Sequence, residues 1–481
     1  MHCPVVVLGG GPGGYAAAFL AADEGLDVTI VEAEPRLGGT CLLRGCIPSK
    51  ALLHVAKVIH EVDELRSDWG VAYDEKPNID IDKVRARKDK VISNLTTGLA
   101  GLAKRRKVKV IQARGFFINS TTLKLDGDHE SIPQDGQLTF DHCVLATGSV
   151  PAMPPAFDIG GDRVMDSTGA LNLVDIPKKL LVIGGGYIGL EMGSVYAQLG
   201  SEVTIVEMAP SLLPGADPDL VKPLAKRMKK ICDGRVLVNT KVGSLTQVGE
   251  KIAVTFEGPG EFGNEQYDRV LVSIGRRAVT KGLGLENTKV EINERGFVVV
   301  DAQQRTSDSH ILAIGDVAGD PMLAHKATHE GRVAAEVIAG KPAAFDKVAI
   351  PAVVFTDPEI AWAGITEEEA KREGRSVSVE VYPWAASGRA QALGITDGLT
   401  KWLVDPETSR VVGCGIVGSG AGELIAEAVL AIEMGCEVHD ITESVHPHPT
   451  LSETLMNAGE VHFGTATEIF KPKKKPNPTS A

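Results

Sequence analysis

Residues 5–14 read VVVLGGGPGG and residues 180–189 read LLVIGGGYIG. Each is a short apolar run that breaks into G-x-G-x-x-G: Gly9, Gly11 and Gly14 in the first, Gly184, Gly186 and Gly189 in the second. At the same offset DVTIVE (27–32) returns as EVTIVE (202–207), and Gly25 returns as Gly200. Each copy reads strand, glycine turn, helix, strand ending in glutamate, which is the βαβ pattern that binds a dinucleotide. The first glycine permits the tight turn, the second lets the backbone approach a pyrophosphate, and the third lets helix and strand pack closely. The helix N-terminus offers N–H groups to the phosphates, and Glu32 or Glu207 can accept from ribose hydroxyls. One such motif is weak; two with the acid at identical spacing predict two dinucleotides on one chain. Met208, Ala209 and Pro210 follow Glu207, with no arginine for a 2′-phosphate, so the second site is read as one for NAD.

The chain has 481 residues, enough for about three domains. Its formal net charge of −13 disfavours nucleic acid or an anionic membrane as general partner. No run of about 20 apolar residues predicts a membrane span, and the N-terminus lacks a signal-peptide pattern. Seven cysteines, odd in number and mostly isolated, do not make a secreted disulfide framework. The expected location is the cytoplasm.

Further apolar runs end in glycine: VLATG (144–148), VLVSIG (270–275) and ILAIGD (311–316). The first two are expected to close the two nucleotide-binding halves, with Pro151, Pro154 and Pro155 marking a boundary between them. From residue 349 strand-like runs at 352–356, 377–382 and 411–417 precede helical patterns at 423–434 and 451–458, which predicts a separate α+β domain. The Lys- and Pro-rich tail, 471–481, is expected to be disordered.

Residues 38–50, GGTCLLRGCIPSK, hold the one close cysteine pair, Cys41 and Cys46. A structural disulfide, a metal site and a catalytic redox pair all merit weighing. Pro48 predicts a helix starting near it and running through Ile59. On a regular helix the two Cα atoms would stand about 8.6 Å apart, beyond the roughly 7 Å that a disulfide tolerates. Either the helix start is distorted or Cys41 precedes it, a bend that Gly39 and Gly45 make easy. A thiol there, with Arg44 and Lys50 close by, is expected to have a depressed pKa. Zinc lacks a second ligand pair at recognisable spacing. A grouping of His446 and His448 with His325 and His329 lacks a third determinant, so no metal is expected.

Together with the paired fingerprints, residues 38–59, Ala146-Thr-Gly-Ser149, Ile314-Gly-Asp316, Met322-Leu-Ala-His-Lys326 and His446-Pro-His-Pro-Thr-Leu-Ser-Glu453 resemble the dihydrolipoamide dehydrogenases, flavoproteins among the pyridine nucleotide-disulfide oxidoreductases. The resemblance runs from Pro4 to about Phe470, with one departure: Leu42-Leu43-Arg44-Gly45 between the cysteines, where the family usually carries Asn-Val-Gly or something close to it. It implies an α/β fold of two Rossmann-like FAD- and NAD-binding domains plus a C-terminal α+β dimerisation domain. The implied division is 1–150 and 277–348 for FAD, 151–276 for NAD and 349–470 for the interface.

The resemblance also implies roles. FAD takes the first fingerprint, with Glu32 on its ribose, and NAD the second, with Glu207. Asp316 holds the ribitol, and Met322, Leu323, Ala324 and His325 bring backbone N–H groups to the flavin. Gly39, Thr40, Gly115, Thr147, Gly148, Ser149, Val242 and Gly275 complete the cofactor-binding set. Lys50 pairs with Glu191 near the flavin; the rival reading of Glu191 is an exposed helix acid. Tyr187 covers the nicotinamide pocket, or simply packs. Cys41 and Cys46 are the redox pair, His448 the base and Glu453 its orienting carboxylate, although Thr450-x-x-Glu453 also reads as a helix capping box. The implied assembly is a homodimer serving the lipoyl domains and acyltransferase core of a 2-oxoacid dehydrogenase complex. The rivals are an NADPH-dependent reductase of another small disulfide and a mainly structural subunit.

Overall fold

A computed structural model describes residues 1–71, 77–260 and 263–470; the tail expected to be disordered lies outside them. The strand His2–Leu8 (β1) leads through Gly11 into the helix Pro12–Asp23 (α1) and the strand Val28–Glu32 (β2). β1 pairs in parallel with β2 on one side and with Gln137–Leu145 on the other. Lys109–Gln112 extends the sheet beyond β2. The seventh strand, Ile311–Ala313, returns much later in the chain to pair in parallel with Gln137–Leu145. Every β2 residue is buried, as expected of a parallel strand covered on both faces.

The second unit repeats this arrangement. Lys179–Ile183, the helix Tyr187–Leu199 and Glu202–Val206 form its βαβ core, and Arg269–Val272 lies on the other side of the first strand. A three-stranded antiparallel sheet, Lys241–Val248, Lys251–Glu257 and Glu265–Tyr267, packs its apolar residues against this layer. The chain enters and leaves the second unit at one place, where Ser149–Pro151 pairs antiparallel with Arg276–Ala278.

The C-terminal portion is a five-stranded antiparallel sheet in the order Ala352–Val354, Glu359–Gly364, Val411–Gly418, Leu399–Val404, Ser378–Pro383. The helices Ala421–Met434 and Glu453–Phe463 pack on it around buried Trp384 and Trp402. Each indole N–H finds an acceptor, Trp384 on the Thr400 hydroxyl and Trp402 on the Leu455 carbonyl, as buried indoles require. Lys401, with no exposed side-chain surface, pins this sheet to the second unit: its Nζ lies 2.8 Å from Asp217 and 2.7 Å from Asp219, with Glu367 at 2.5 Å. Those carboxylates form the one group with metal-ligand proximity among the described residues, and the ammonium sits in their midst. No described helix is long and apolar enough to cross a membrane.

Candidate active site

Two helices carry the cysteines. Gly39–Arg44 (α2) holds Cys41, and Cys46–Asp68 (α3) begins at Cys46. Gly45 separates them with φ −146° and ψ −112°, and a Cβ there would meet the Thr40 carbonyl oxygen at 2.9 Å. The break sets the two thiols close enough for each to shift the other's acidity, which an uninterrupted helix would not allow. α3 runs nine residues past the expected end at Ile59. Pro48 falls in its first turn, where the missing N–H costs nothing, and no breaker follows until Gly70, at φ +73°.

The hydrogen bond donated by Cys41 holds the Cys46 thiol down at about 7, against burial, with Lys50 helping and Glu191 opposing. The same bond, together with burial, pushes Cys41 well above the ordinary thiol range. Of the reduced pair, Cys46 is thus the more acidic thiol and Cys41 the less acidic. Arg44 does not take the part expected of it: its Nη2 is 2.7 Å from Glu34 Oε1, and Lys50 is the cation acting on Cys46.

Lys50 Nζ lies 2.8 Å from Glu191 Oε2 and 3.0 Å from Oε1. Glu191 is buried and also accepts from the Phe355 N–H at 3.0 Å. Phe355 lies under the ammonium, 4.5 Å from ring centre to Nζ. The sequence carried no signal for this residue.

The two thiols, Lys50 and Glu191 open onto one cavity of about 410 Å³. Gly9, Gly11, Gly14, Glu32, Gly39, Thr40, Cys41, Cys46, Lys50, Gly115, Thr147, Gly148, Ser149, Tyr187, Glu191, Asp316, Met322 and Ala324 all line it. The Ser149 hydroxyl donates to Asp316 Oδ2 at 2.5 Å and accepts from Arg276 Nε at 2.8 Å. Arg276, also on the wall, was missed, although it directly follows the VLVSIG run.

The two glycine turns have the same construction. Gly9 and Gly184 both sit at φ +111°, and a Cβ on them would meet a carbonyl oxygen at 2.3 and 2.5 Å. A Cβ on Gly14 or Gly189 would strike the carbonyl of Gly9 or Gly184 at 1.9 and 2.0 Å. The middle glycines differ: Gly11 meets nothing nearer than 3.8 Å and Gly186 nothing within 4 Å. Tight where helix meets strand and open where a pyrophosphate would pass, both turns fit a dinucleotide. Each acid also braces its own turn. Glu32 accepts from the Gly10 and Glu34 amides at 2.6 and 2.9 Å, and Glu207 from the Gly185 and Ala209 amides at 2.7 Å each.

The second-turn residues Gly184, Gly186, Gly189, Glu207 and Gly275 lie outside the cavity wall, as do Leu323 and His325. The Val242 side chain is buried in the core with Leu181 and Val206. His325 directs its ring to the Pro351 carbonyl, 2.8 Å away. Its backbone N–H is in the first turn of Ala324–Ile338, where amides have no intrahelical acceptor.

His448 and Glu453 are paired, but neither lines the cavity, and the His448 side chain is 78% exposed. His448 Nδ1 lies 2.9 Å from Glu453 Oε1, while Glu453 Oε2 accepts from the Thr450 N–H at 2.7 Å. The capping-box reading is only half met: the helix starts at Glu453 itself with Ser452 as its N-cap, and the Thr450 hydroxyl turns to the Pro447 carbonyl and the Ser452 hydroxyl instead of capping it. Partial burial opposes ionisation of Glu453, but the Thr450 amide, His448 and the nearby His446 outweigh this and hold it below the ordinary carboxylate range. An ionised Glu453 only accepts, so Nδ1 donates to it, and in the neutral ring this leaves Nε2 as the acceptor. The same portion of the chain exposes Val348, Leu430, Met434 and Val445, an apolar set of the kind an interface covers.

Residues 3–331 match the family model "Pyridine nucleotide-disulphide oxidoreductase", and residues 350–458 match that family's dimerisation domain. The dihydrolipoyl dehydrogenase of Vibrio cholerae is 50% identical over 472 residues, 98% of each chain. That of Haemophilus influenzae is 48% identical, covering 98% of this chain and 97% of the other. The crystal structure of LpdA from Mycobacterium tuberculosis superimposes with a TM-score of 0.86 at 26% identity, over 95% of this chain and 99% of that one. Two glycine turns built alike, a thiol pair opening onto the first, and these matches over nearly the full length agree: the chain belongs to the pyridine nucleotide-disulphide oxidoreductase family.

Proposed function

We propose that this protein oxidises protein-bound dihydrolipoamide to lipoamide and reduces NAD⁺ to NADH, working as a homodimer. The observation that carries the reading is the Cys41–Cys46 pair, brought together by the break at Gly45, on the wall of the cavity that the first glycine turn also lines. FAD fits that cavity: Gly9, Gly11, Gly14 and Glu32 would hold its adenosine diphosphate portion, and Ser149 and Asp316 its ribitol. NAD fits the second turn, where the Glu207 carboxylate would repel a 2′-phosphate.

His448 Nε2 takes the proton from one substrate thiol, because dihydrolipoamide thiols are mostly neutral near pH 7. The thiolate attacks Sγ of Cys41 in the oxidised Cys41–Cys46 bridge. A substrate–Cys41 bond forms, the Cys41–Cys46 bond breaks, and the electron pair leaves on Cys46. A thiol pKa near 7 makes Cys46 the better leaving group. The second substrate thiol then displaces Cys41 and its proton passes to the Cys41 sulfur, which releases the cyclic disulfide and leaves two electrons on the cysteines as a thiol and a thiolate. FAD, held by Gly9, Gly11, Gly14, Glu32, Ser149 and Asp316, would supply the acceptor for that pair beside Cys46, with NAD⁺ at the second glycine turn as the final oxidant. The exposure of His448 and its absence from the cavity wall support supply of the base from the partner subunit.

The name of the relatives supports service to the lipoyl domains and acyltransferase core of a 2-oxoacid dehydrogenase complex in the cytoplasm. NADH formation, measured with dihydrolipoamide and NAD⁺, tests the reading. Faster turnover with NADP⁺, or reduction of glutathione disulfide by NADPH in preference to this reaction, would favour the rival reductase instead.

A further inference from the structure

The HPHP stretch holds a second His–Glu pair that the mechanism above leaves unused. The His446 side chain is only 6% exposed, although His448, two residues on, stands in the open. His446 Nδ1 lies 2.7 Å from the Ser444 carbonyl oxygen, and Nε2 lies 2.8 Å from Glu427 Oε1. Glu427 belongs to the helix Ala421–Met434. A carbonyl oxygen only accepts a hydrogen bond, and so does an ionised carboxylate. Both ring nitrogens must therefore donate, which only the imidazolium form can do. His448 is under no such demand, since among the described residues its Nε2 has no partner to satisfy.

Resting on the dihydrolipoamide reading, we propose that His446 is a positioning residue kept as imidazolium, which bridges Ser444 to Glu427 and so fixes the 444–449 segment that presents the base His448. A neutral His446 has one N–H and must release one of its two anchors. The charged or titratable groups facing it are Glu427 from its helix, Glu453 from the start of Glu453–Phe463, and His448 from the same segment. Behind Glu427 lies the buried Cys414 thiol of Val411–Gly418, held high by burial and by that carboxylate. The two acids favour the cation. His446 in turn adds to the positive charge that keeps Glu453 ionised.

Neutron diffraction from crystals of the holoenzyme at neutral pD reads the protonation directly. Deuterons on both Nδ1 and Nε2 of His446 are expected; a bare nitrogen on either side overturns the proposal. Kinetics read the positioning. His446→Phe is expected to lower kcat with dihydrolipoamide roughly tenfold, as a small displacement of a catalytic group does, while NADH-driven reduction of ferricyanide, which bypasses the base, stays at the wild-type rate. In Glu427→Gln, which keeps an acceptor but loses the charge, the alkaline fall of kcat/KM for dihydrolipoamide is expected to move to lower pH. Equal losses in both assays, or no loss in either, overturn the proposal. Wild-type protein inert towards dihydrolipoamide would instead overturn the function on which it rests, leaving the neutron result to stand separately.

Discussion

Lys50 joins three parts of the chain at a single ammonium. It rises from the helix of the redox cysteines, lies 2.8 Å from buried Glu191 on the second nucleotide-binding unit, and stands over Phe355 at the edge of the C-terminal sheet. The packing of all three parts around it places one positive charge beside Cys46.

Among the described residues, Lys50→Met leaves the buried Glu191 carboxylate the Phe355 amide as its one partner. Breaking a fully buried pair costs about 3–5 kcal/mol. The Lys50 side chain is 31% exposed, so screening brings the expected loss down to about 2–3 kcal/mol. Urea denaturation should show it, with Glu191→Gln milder because its amide oxygen still accepts from Phe355.

The thiols make a prediction in pH. Alkylation of the reduced enzyme by iodoacetamide should fall on Cys46 and accelerate as pH rises through about 7, while Cys41 stays protonated. Lys50 lowers the Cys46 pKa, so in Lys50→Met the midpoint must shift upward. Mass spectrometry of the alkylated peptide across a pH series checks both statements.

Gly189→Ala separates the two nucleotide sites. The new methyl would lie 2.0 Å from the Gly184 carbonyl and 2.8 Å from the Ser273 hydroxyl, so the helix has to move off its strand. NADH affinity should fall at least roughly tenfold, equivalent to about 1.4 kcal/mol, with FAD content unchanged. Calorimetric NADH titration and the flavin absorbance of the purified protein measure the two.

The exposed base predicts complementation between chains. Cys41→Ser and His448→Gln proteins are each expected to be nearly inactive. Unfolded and refolded together, they should recover about a quarter of wild-type activity if subunits pair at random, because half the dimers then hold one intact site. No recovery would place His448 and the thiols in the same chain's site.

Much of the fold was legible because it rests on local backbone necessity. A positive φ at Gly9 and Gly184 and the absence of room for a Cβ at Gly14 and Gly189 force glycine at those spacings, so the motif shows in any sequence that uses it. Strand-ending Glu32 and Glu207 were equally visible, although their bracing of the turns was not. What escaped was contact between distant parts of the chain. Phe355 meets Lys50 and Glu191 across sheets, and nothing about a phenylalanine in a strand-like run announces it. Arg44 turned to Glu34 rather than to the thiols, a choice between neighbours that only the path of α2 settles. Glu427 and His446 come from separate elements, so the second His–Glu pair had no spacing to betray it.

The relay from dithiol to cysteine pair to flavin is tested most directly by anaerobic titration of the yellow holoenzyme with dihydrolipoamide, without pyridine nucleotide. The wild-type spectrum should change stoichiometrically, with new absorbance to the red of the flavin band, and Cys46→Ser should give no such change. An unaltered wild-type spectrum, or a Cys46→Ser protein that responds as the wild type does, would contradict the account.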